Sequence, residues 1–450
     1  MVTLCVQRSV KTESTPLAST NRRHFLKSSV AAAGALASLD IARFAHAAGS
    51  DELKIALVGC GGRGTGAGAN ALGNATHSGM RLTAMADAYR DRLDSSHAQL
   101  KKQFGDKVDV SEGRKYDGLD AFKQVLDSSV DIVVLTTPPG FRPAQFEEAV
   151  KAGRHVFMEK PIAVDAPGYR RVMAANEEAK KKKLIVGVGH HLRHAVNHKK
   201  VIQQIHDGLI GDLQYTRAYF NTPGIWNRPR KPGMTEMQYQ VHNWYHFVWL
   251  SGDHIVEQHV HGIDVCNWIA NGHPTEAVGM GGRQVRAEKG IGEIFDHHNV
   301  QYTYANGTRS FSECRQIPGT WSSFAHYAHG SKGWIHFDGG NDQVIIRLNG
   351  KDPERLKGGP DGHQLEWDDL MAAVRDGKTY NEVDSAADST MTAILGRMAT
   401  YSGKQLDWET AVASKLSYGP ERLAWDAEPK SKPGPNGVYP CATPGVTNVL

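Results

Sequence analysis

The chain has 450 residues, 40% hydrophobic and 22% charged, enough for two ordinary domains and a core that needs no disulfide staples, which excludes collagen, simple disorder and a small disulfide-held scaffold. Its net charge of +4 sits in residues 1–47, where Arg8, Lys11, Arg22, Arg23, Lys27 and Arg43 outnumber Glu13 and Asp40. The remainder carries 46 cations and 46 anions, so nucleic-acid binding through a broad basic surface has no support. The Lys180–Lys183 run reads as the solvated C-terminal end of a helix.

Asn21-Arg22-Arg23-His24-Phe25-Leu26-Lys27, followed by an Ala-rich apolar stretch, has the order of a twin-arginine export signal. Ala45-His46-Ala47 offers small residues for cleavage after Ala47. Residues 1–47 are therefore expected to be a leader read by the twin-arginine translocase, and the mature protein to be periplasmic or otherwise exported. The apolar run is too short for a secure membrane span. That route carries folded cargo, which suits a protein that captures a cytoplasmic cofactor first. Cys60, Cys266, Cys314 and Cys441 remain after cleavage without a C-x-x-C pair, so neither a zinc knuckle nor a redox motif is visible.

Residues 48–188 read as a Rossmann domain. Lys54–Val58 is an apolar run suited to a buried parallel strand, and it ends in Gly59-Cys60-Gly61-Gly62-Arg63-Gly64, a G-x-G-x-x-G pattern. Gly59 permits the tight turn, Gly61 a close approach of backbone to pyrophosphate, and Gly64 close helix packing; Gly62 and Arg63 complete the loop. A second strand, Leu82–Ala86, delivers Asp87 where an acid holds the adenosine ribose hydroxyls, favouring NAD over NADP. Arg90 and Arg92 stand close enough to pair with a 2'-phosphate, so NADP stays open. Asp131–Leu135 leads into Thr136-Thr137-Pro138-Pro139, a loop placed for the nicotinamide ribose, and Arg154–Met158 delivers Glu159-Lys160-Pro161. Strands alternating with helical stretches predict a parallel sheet whose carboxyl ends collect the ligand.

From Gly189 the rhythm changes. Gly252–Ala270 reads as one helix on which Glu257, His261, Asp264 and Trp268 share a face, so that Glu257 reaches the His261 imidazole. Asn306-Gly307 between two alternating runs predicts a hairpin. A second domain is placed at 189–427. The Pro/Gly-rich tail, 428–450, is expected to wrap across a neighbouring subunit in a homo-oligomer or to stay mobile.

The glycine fingerprint, Glu159-Lys160-Pro161 and His261 in a Glu-x-x-x-His setting together resemble the Gfo/Idh/MocA family, named for glucose-fructose oxidoreductase and inositol dehydrogenase. The resemblance spans roughly residues 52–405. It implies an α/β architecture, with an N-terminal NAD(P)-binding domain, a C-terminal α+β domain on a largely antiparallel open sheet, and chemistry on a sugar or polyol carbon. It also implies a helix near Ala387–Ser402 that returns to the first domain. In the family the acid four residues before the histidine is usually aspartate, often with an intervening glycine; here Glu257 and His259 stand there. On this reading His261 acts as base, Glu257 orients it or contacts substrate, and Lys160, desolvated beside a cationic nicotinamide, shares or relays the hydroxyl proton.

His242 and His246 lie one helical turn apart and offer a chelate, whereas His259 and His261 lie about 200° apart on a helix; with no H-E-x-x-H motif, no metal is expected. Trp226, Arg228 and Arg230, with Asn243, Trp244, Tyr245 and His246, combine flat apolar faces with hydrogen-bond donors suited to a sugar, or else to packing at an interface. Arg315, on an expected strand, is a further substrate candidate. The leading expectation is an exported NAD(P)-dependent dehydrogenase of a sugar, glycoside or polyol. The rivals are an NAD-retaining glycosidase working by transient oxidation and elimination, and a dinucleotide-binding scaffold without turnover.

Overall fold

The computed structural model describes residues 52–76 and 79–450; the leader, including Arg22, Arg23 and Ala45–Ala47, lies outside the described residues. Six short strands, β1 (Leu53–Val58), β2 (Met80–Asp87), β3 (Lys115–Asp117), β4 (Ile132–Leu135), β5 (His155–Met158) and β6 (Val186–Val188), form a parallel sheet in the order β3-β2-β1-β4-β5-β6. Alternation along β1 explains why both faces are covered. Ile55 and Leu57 pack with α1 (Gly62–Gly73) and α2 (Arg90–Phe104). Ala56 and Val58 pack with α3 (Ala121–Asp127), α4 (Arg142–Lys151) and α5 (Ala166–Lys181). A sheet buried on both faces needs continuous apolar strands, which is why β1, β2, β4 and β5 were visible in the sequence, whereas the short polar edge strand β3, Lys-Tyr-Asp, was not. The order reverses between β1 and β4, opening a crevice at their carboxyl ends.

After α6 (Val196–His206) the chain enters a nine-stranded sheet. Its strands are β7 (Leu213–Thr222), β8 (Pro274–Gly282), β9 (His297–Tyr304), β10 (Arg309–Gln316), β11 (Ser323–Gly330), β12 (Gly333–Asp338), β13 (Val344–Leu348), β14 (Glu354–Leu356) and β15 (Leu406–Asp407). They run in the order β14-β13-β12-β11-β7-β10-β9-β8-β15. Only the β7–β10 pair is parallel. Gly307, at φ 84°, closes the expected β9–β10 hairpin, where the Gly307 N–H donates to Tyr304 O at 2.9 Å.

Three expectations need correction. The single helix over 252–270 is two, α8 (His254–Glu257) and α9 (Val260–Ala270), broken at Gln258 and His259; α7 (Glu236–His242) lies earlier in the chain. Side chains at the break are claimed elsewhere: Gln258 Oε1 accepts from Tyr245 and Gln316, and His259 Nε2 bonds Ser312 Oγ at 2.8 Å. The return to the first domain is also larger than the resemblance implied. Trp367, Leu370, Met371 and Val374 of α10 (Gly362–Arg375) join the β1 core. Only Val383, Ala386 and Ala387 of α11 (Val383–Ser402) join the opposite first-domain face, whereas Met391, Ile394, Leu395 and Met398 belong to the second-domain core. Finally, the tail lies on its own chain. Tyr439 and Val449 are buried, the Arg283 guanidinium donates to Tyr439 O at 2.9 Å, and Ser414 Oγ donates to Val449 O at 3.2 Å.

Among the described residues no helix is long and apolar enough to cross a membrane. Cys60, Cys266 and Cys314 are buried free thiols, and Cys441 is a half-buried one.

Candidate active site

A cavity of about 770 Å³ opens at the β1–β4 crevice and runs to the second domain. Its floor is the glycine loop. Gly59 has φ +96°, and a Cβ there would lie 2.6 Å from Thr137 N. A Cβ on Gly64 would lie 1.8 Å from Gly59 O, so helix and turn touch backbone to backbone. Gly61 and Gly62 face open space. Helix α1 starts here with no side-chain cap, leaving its first-turn N–H groups for an anion, as a phosphate requires. Asp87, at the end of β2, accepts from the Cys60 N–H at 2.6 Å and the Tyr89 N–H at 2.9 Å. Burial raises its pKa above the usual aspartate value against these two bonds. Backbone open to a diphosphate beside an acid for ribose fits a dinucleotide.

The loop after β4 is anchored from below. Thr136 Oγ1 donates to Gly59 O at 2.6 Å and Thr137 Oγ1 to Gln145 Oε1 at 2.6 Å. Pro138 lines the cavity beside them. Arg142, fully buried, donates to Pro161 O at 2.7 Å and also to Thr137 O, tying the β4 loop to the β5 loop. Burial pulls its guanidinium down to about 10.

Glu159 and Lys160 point to different tasks. Glu159 accepts from Arg63 Nε at 2.6 Å, and Arg63 reaches Glu366 of α10 at 3.3 Å. Arg63 is therefore engaged by carboxylates as well as lining the cavity. Burial opposes the Glu159 charge, but Arg63 and then Lys160 outweigh it and hold its pKa below the usual value. Burial and the neighbouring Glu159 push Glu366 well above its own. Lys160 instead crosses the cleft, where its Nζ donates to Glu257 O at 2.6 Å and lies 3.1 Å from Glu257 Oε1.

This ion pair corrects the expected Glu257–His261 bond, because the break between α8 and α9 takes Glu257 off the His261 face. His261 lines the same cavity, with its ring 4.8 Å from that of His191 and 6.2 Å from that of His190. Among the described residues its imidazole has no hydrogen-bond partner. Burial, then the Lys160 charge, drives its pKa well below the ordinary histidine value, which favours the neutral imidazole.

The substrate candidates separate into two groups. Trp226, Arg228 and Trp244 line the cavity, with the Arg228 guanidinium 3.7 Å above the Trp226 ring. Asn243, Tyr245 and His246 stand behind them. Asn243 Oδ1 accepts from Arg228 N at 2.8 Å and its Nδ2 donates to Arg228 O at 2.7 Å. The Tyr245 hydroxyl donates to Gln258 Oε1 at 2.9 Å, and His246 Nε2 donates to Trp226 O at 2.8 Å. Arg230 turns away to Glu236 and the Tyr239 ring, and Arg315 donates to Trp321 O at 2.8 Å; neither lines the cavity.

The histidines do not converge as a chelate at 242 and 246, since His242 packs against Tyr89 and His246 against Trp226. One buried Asp253–His254–His298 cluster has metal-compatible spacing. Its carboxylate is already engaged by the backbone of His254 and Phe295, by Tyr401 and by His254 Nδ1. Sequence reasoning missed Arg142, Gln258, His191 and His363 at this site. His191 lies just past a strand end, a place the parallel-sheet rule marks; His363 belongs to a helix the sequence reading did not place.

Comparison with known proteins bears on this geometry. Residues 53–190 match a family described as "Oxidoreductase family, NAD-binding Rossmann fold", and residues 198–336 match the GFO/IDH/MocA C-terminal domain. The chain belongs to the GFO/IDH/MocA family. Its first domain is thus an NAD-binding Rossmann domain. The chain is 27% identical over 165 residues to a 1,5-anhydro-D-fructose reductase of Ensifer adhaerens, covering 37% of this chain and 45% of that one. It is 22% identical over 243 residues to a Glycosyl hydrolase family 109 protein of Shewanella baltica (strain OS185), covering 50% of each. The chain spans about half the length of the curated relatives it matches. Among solved folds, aldose-aldose oxidoreductase from Caulobacter crescentus, complexed with glycerol, superposes with a TM-score of 0.63 at 18% identity, covering 79% of this chain and 99% of that one. Levoglucosan dehydrogenase, in complex with NADH and levoglucosan, gives 0.62 at 15% identity with the same coverage.

Proposed function

We propose that the protein is an exported NAD-dependent oxidoreductase that transfers hydride between nicotinamide and a secondary hydroxyl carbon of a sugar, glycoside or polyol. The observation that carries this reading is the meeting of Lys160 from the first domain with Glu257 and His261 from the second, in the cavity that begins at the glycine loop. NAD, when bound, supplies the hydride acceptor. Lys160 holds the substrate oxygen by hydrogen bonding, and neutral His261 accepts the hydroxyl proton as the carbon–hydrogen bond is lost. Glu257 orients Lys160 rather than the histidine. Trp226 and Trp244 offer flat faces to a sugar ring, with Arg228 as a polar neighbour. The similarity to levoglucosan dehydrogenase and to the anhydrofructose reductase supports a small carbohydrate as substrate.

Similarity to the Glycosyl hydrolase family 109 protein favours a second reading, in which the same proton abstraction begins a redox-assisted glycoside cleavage. The experiment is incubation of the natively produced protein with free sugars, polyols and glycosides. Net NADH formation supports the first reading, and glycoside cleavage without net NADH supports the second. Neither activity, with nucleotide still bound, supports a scaffold and defeats both. Use of NADP rests on Arg92, which lines the cavity near Asp87, since Arg90 is paired with Asp94 and Glu112.

Export rests on Arg22-Arg23 and Ala45-His46-Ala47; normal export of a double lysine variant would overturn it. We further propose a homo-oligomer through the outer face of the second sheet, where Tyr215 stacks on His329 at 4.3 Å and Tyr327 on His336 at 4.7 Å beside exposed Phe311 and Trp321. A monomeric mass in solution would contradict it.

A further inference from the structure

Two arginines face the cavity from opposite domains, Arg92 in the first turn of α2 and Arg228 on the loop before α7. Among the described residues neither guanidinium has a carboxylate within ion-pair distance. The contrast with Arg90, two residues earlier, is direct: Arg90 is paired with Asp94 at 3.0 Å and Glu112 at 2.6 Å. Arg92 also sits at the helix end where a cation is disfavoured by the peptide dipoles.

Arg228 is held in place before any ligand arrives. Asn243 bonds its backbone on both sides, one of its guanidinium N–H groups donates to His242 O at 2.8 Å, and Trp226 supports its flat face. Burial, then the charge of Arg92, lowers its pKa, so the two cations repel each other. Tyr89, His242, Lys231 and Asp91 complete the charged and titratable surroundings. None forms an ion pair with either guanidinium: Asp91 Oδ1 accepts from the Arg92 backbone N–H at 3.0 Å, and Asp87, which the Arg92 charge helps to hold ionised, directs its oxygens at amides. Like charges facing an open cavity are unfavourable in the empty protein and become favourable when an anion enters.

The anions that belong in this cavity are those of the dinucleotide. We propose that Arg92 and Arg228 form a clamp, one arm from each domain, on a phosphate group of the bound dinucleotide. The clamp rests on the dinucleotide reading of the site and assigns Arg228 to nucleotide rather than sugar. It makes a side chain of the second domain part of cofactor binding. Two phosphates offer the same chemistry, the diphosphate common to NAD and NADP and the 2'-phosphate of NADP alone.

Calorimetric titration of nucleotide-free protein with NAD and with NADP separates them, using the parent, Arg92→Met and Arg228→Met, each checked for a cooperative thermal melt. Loss of one charge-assisted contact is expected to weaken binding about 10- to 100-fold, and by less at high salt. Weakening of both nucleotides assigns the diphosphate, and weakening of NADP alone assigns the 2'-phosphate. Unchanged affinity for both nucleotides in either folded variant overturns the clamp. Arg92, on the partly exposed face of a long helix, keeps the test available should Arg228→Met fail to fold. A parent that binds neither nucleotide would instead defeat the dinucleotide reading.

Discussion

The two walls of the cavity are built by different physics. The floor of the first-domain wall, where the glycine loop lies, is backbone: Gly59 and Gly64 are in steric contact across the turn, and Asp87 bonds to amides. The second-domain wall is side chain upon side chain, with His246 holding Trp226, Asn243 holding Arg228 and Tyr245 holding Gln258. A backbone wall fails by steric intrusion, whereas a side-chain wall rich in buried neutral imidazoles fails by protonation.

The largest expected effect follows from the buried imidazoles of the second domain, of which His246 supports the cavity wall through Trp226 and His259 and His298 lie away from the cavity. Burial lowers His246 and His298 to about 4 and His259 to about 3, all within the second domain. A folded pKa below the unfolded value means that the unfolded chain binds more protons below about 6.5, so stability is present above that pH and is lost as pH falls toward the folded values. Each group removes about 1.4 kcal/mol per pH unit in that window, and denaturant midpoints are expected to fall steeply between pH 6.5 and 4. A flat midpoint over this range would break the contrast between the walls.

Gly64→Ala attacks the other wall. Its methyl would fall on Gly59 O, so the turn must move; overpacking typically costs about 1–3 kcal/mol, with loss of NAD binding by calorimetry. Gly61→Ala, whose Cβ meets open space, keeps the parental melting temperature. Equal melting of the two variants would show that the turn is looser than described. Smallest is Arg315→Ala, which removes a surface bond to Trp321 O outside the cavity. It is expected to leave stability within about 0.5 kcal/mol and single-turnover rates at the parental value; a slowed rate would extend the site to the outer sheet face.

The same contrast explains what could be read from the sequence. A buried parallel strand must be an uninterrupted apolar run, and its next residues occupy the sheet's carboxyl edge, so Gly59, Asp87, Thr137 and Lys160 were visible as strand ends. Nothing local marks the break at Gln258 and His259, because Tyr245, Gln316 and Ser312 are contributed by remote segments. Glu257 was therefore assigned to His261 by helical spacing when it faces Lys160. Helix α10 escaped for a related reason: its apolar face, centred on Trp367 and Leu370, is buried against a domain more than 170 residues earlier in the chain.

The central claim is that Lys160 and His261, from different domains, act on one hydroxyl. Its most direct test is single-turnover NADH formation with bound NAD and a reactive substrate, comparing parent, Lys160→Met and His261→Ala at matched cofactor occupancy. The account predicts that each variant binds NAD yet transfers hydride about 10²–10⁴-fold more slowly. Near-parental transfer by either variant with NAD bound would contradict it.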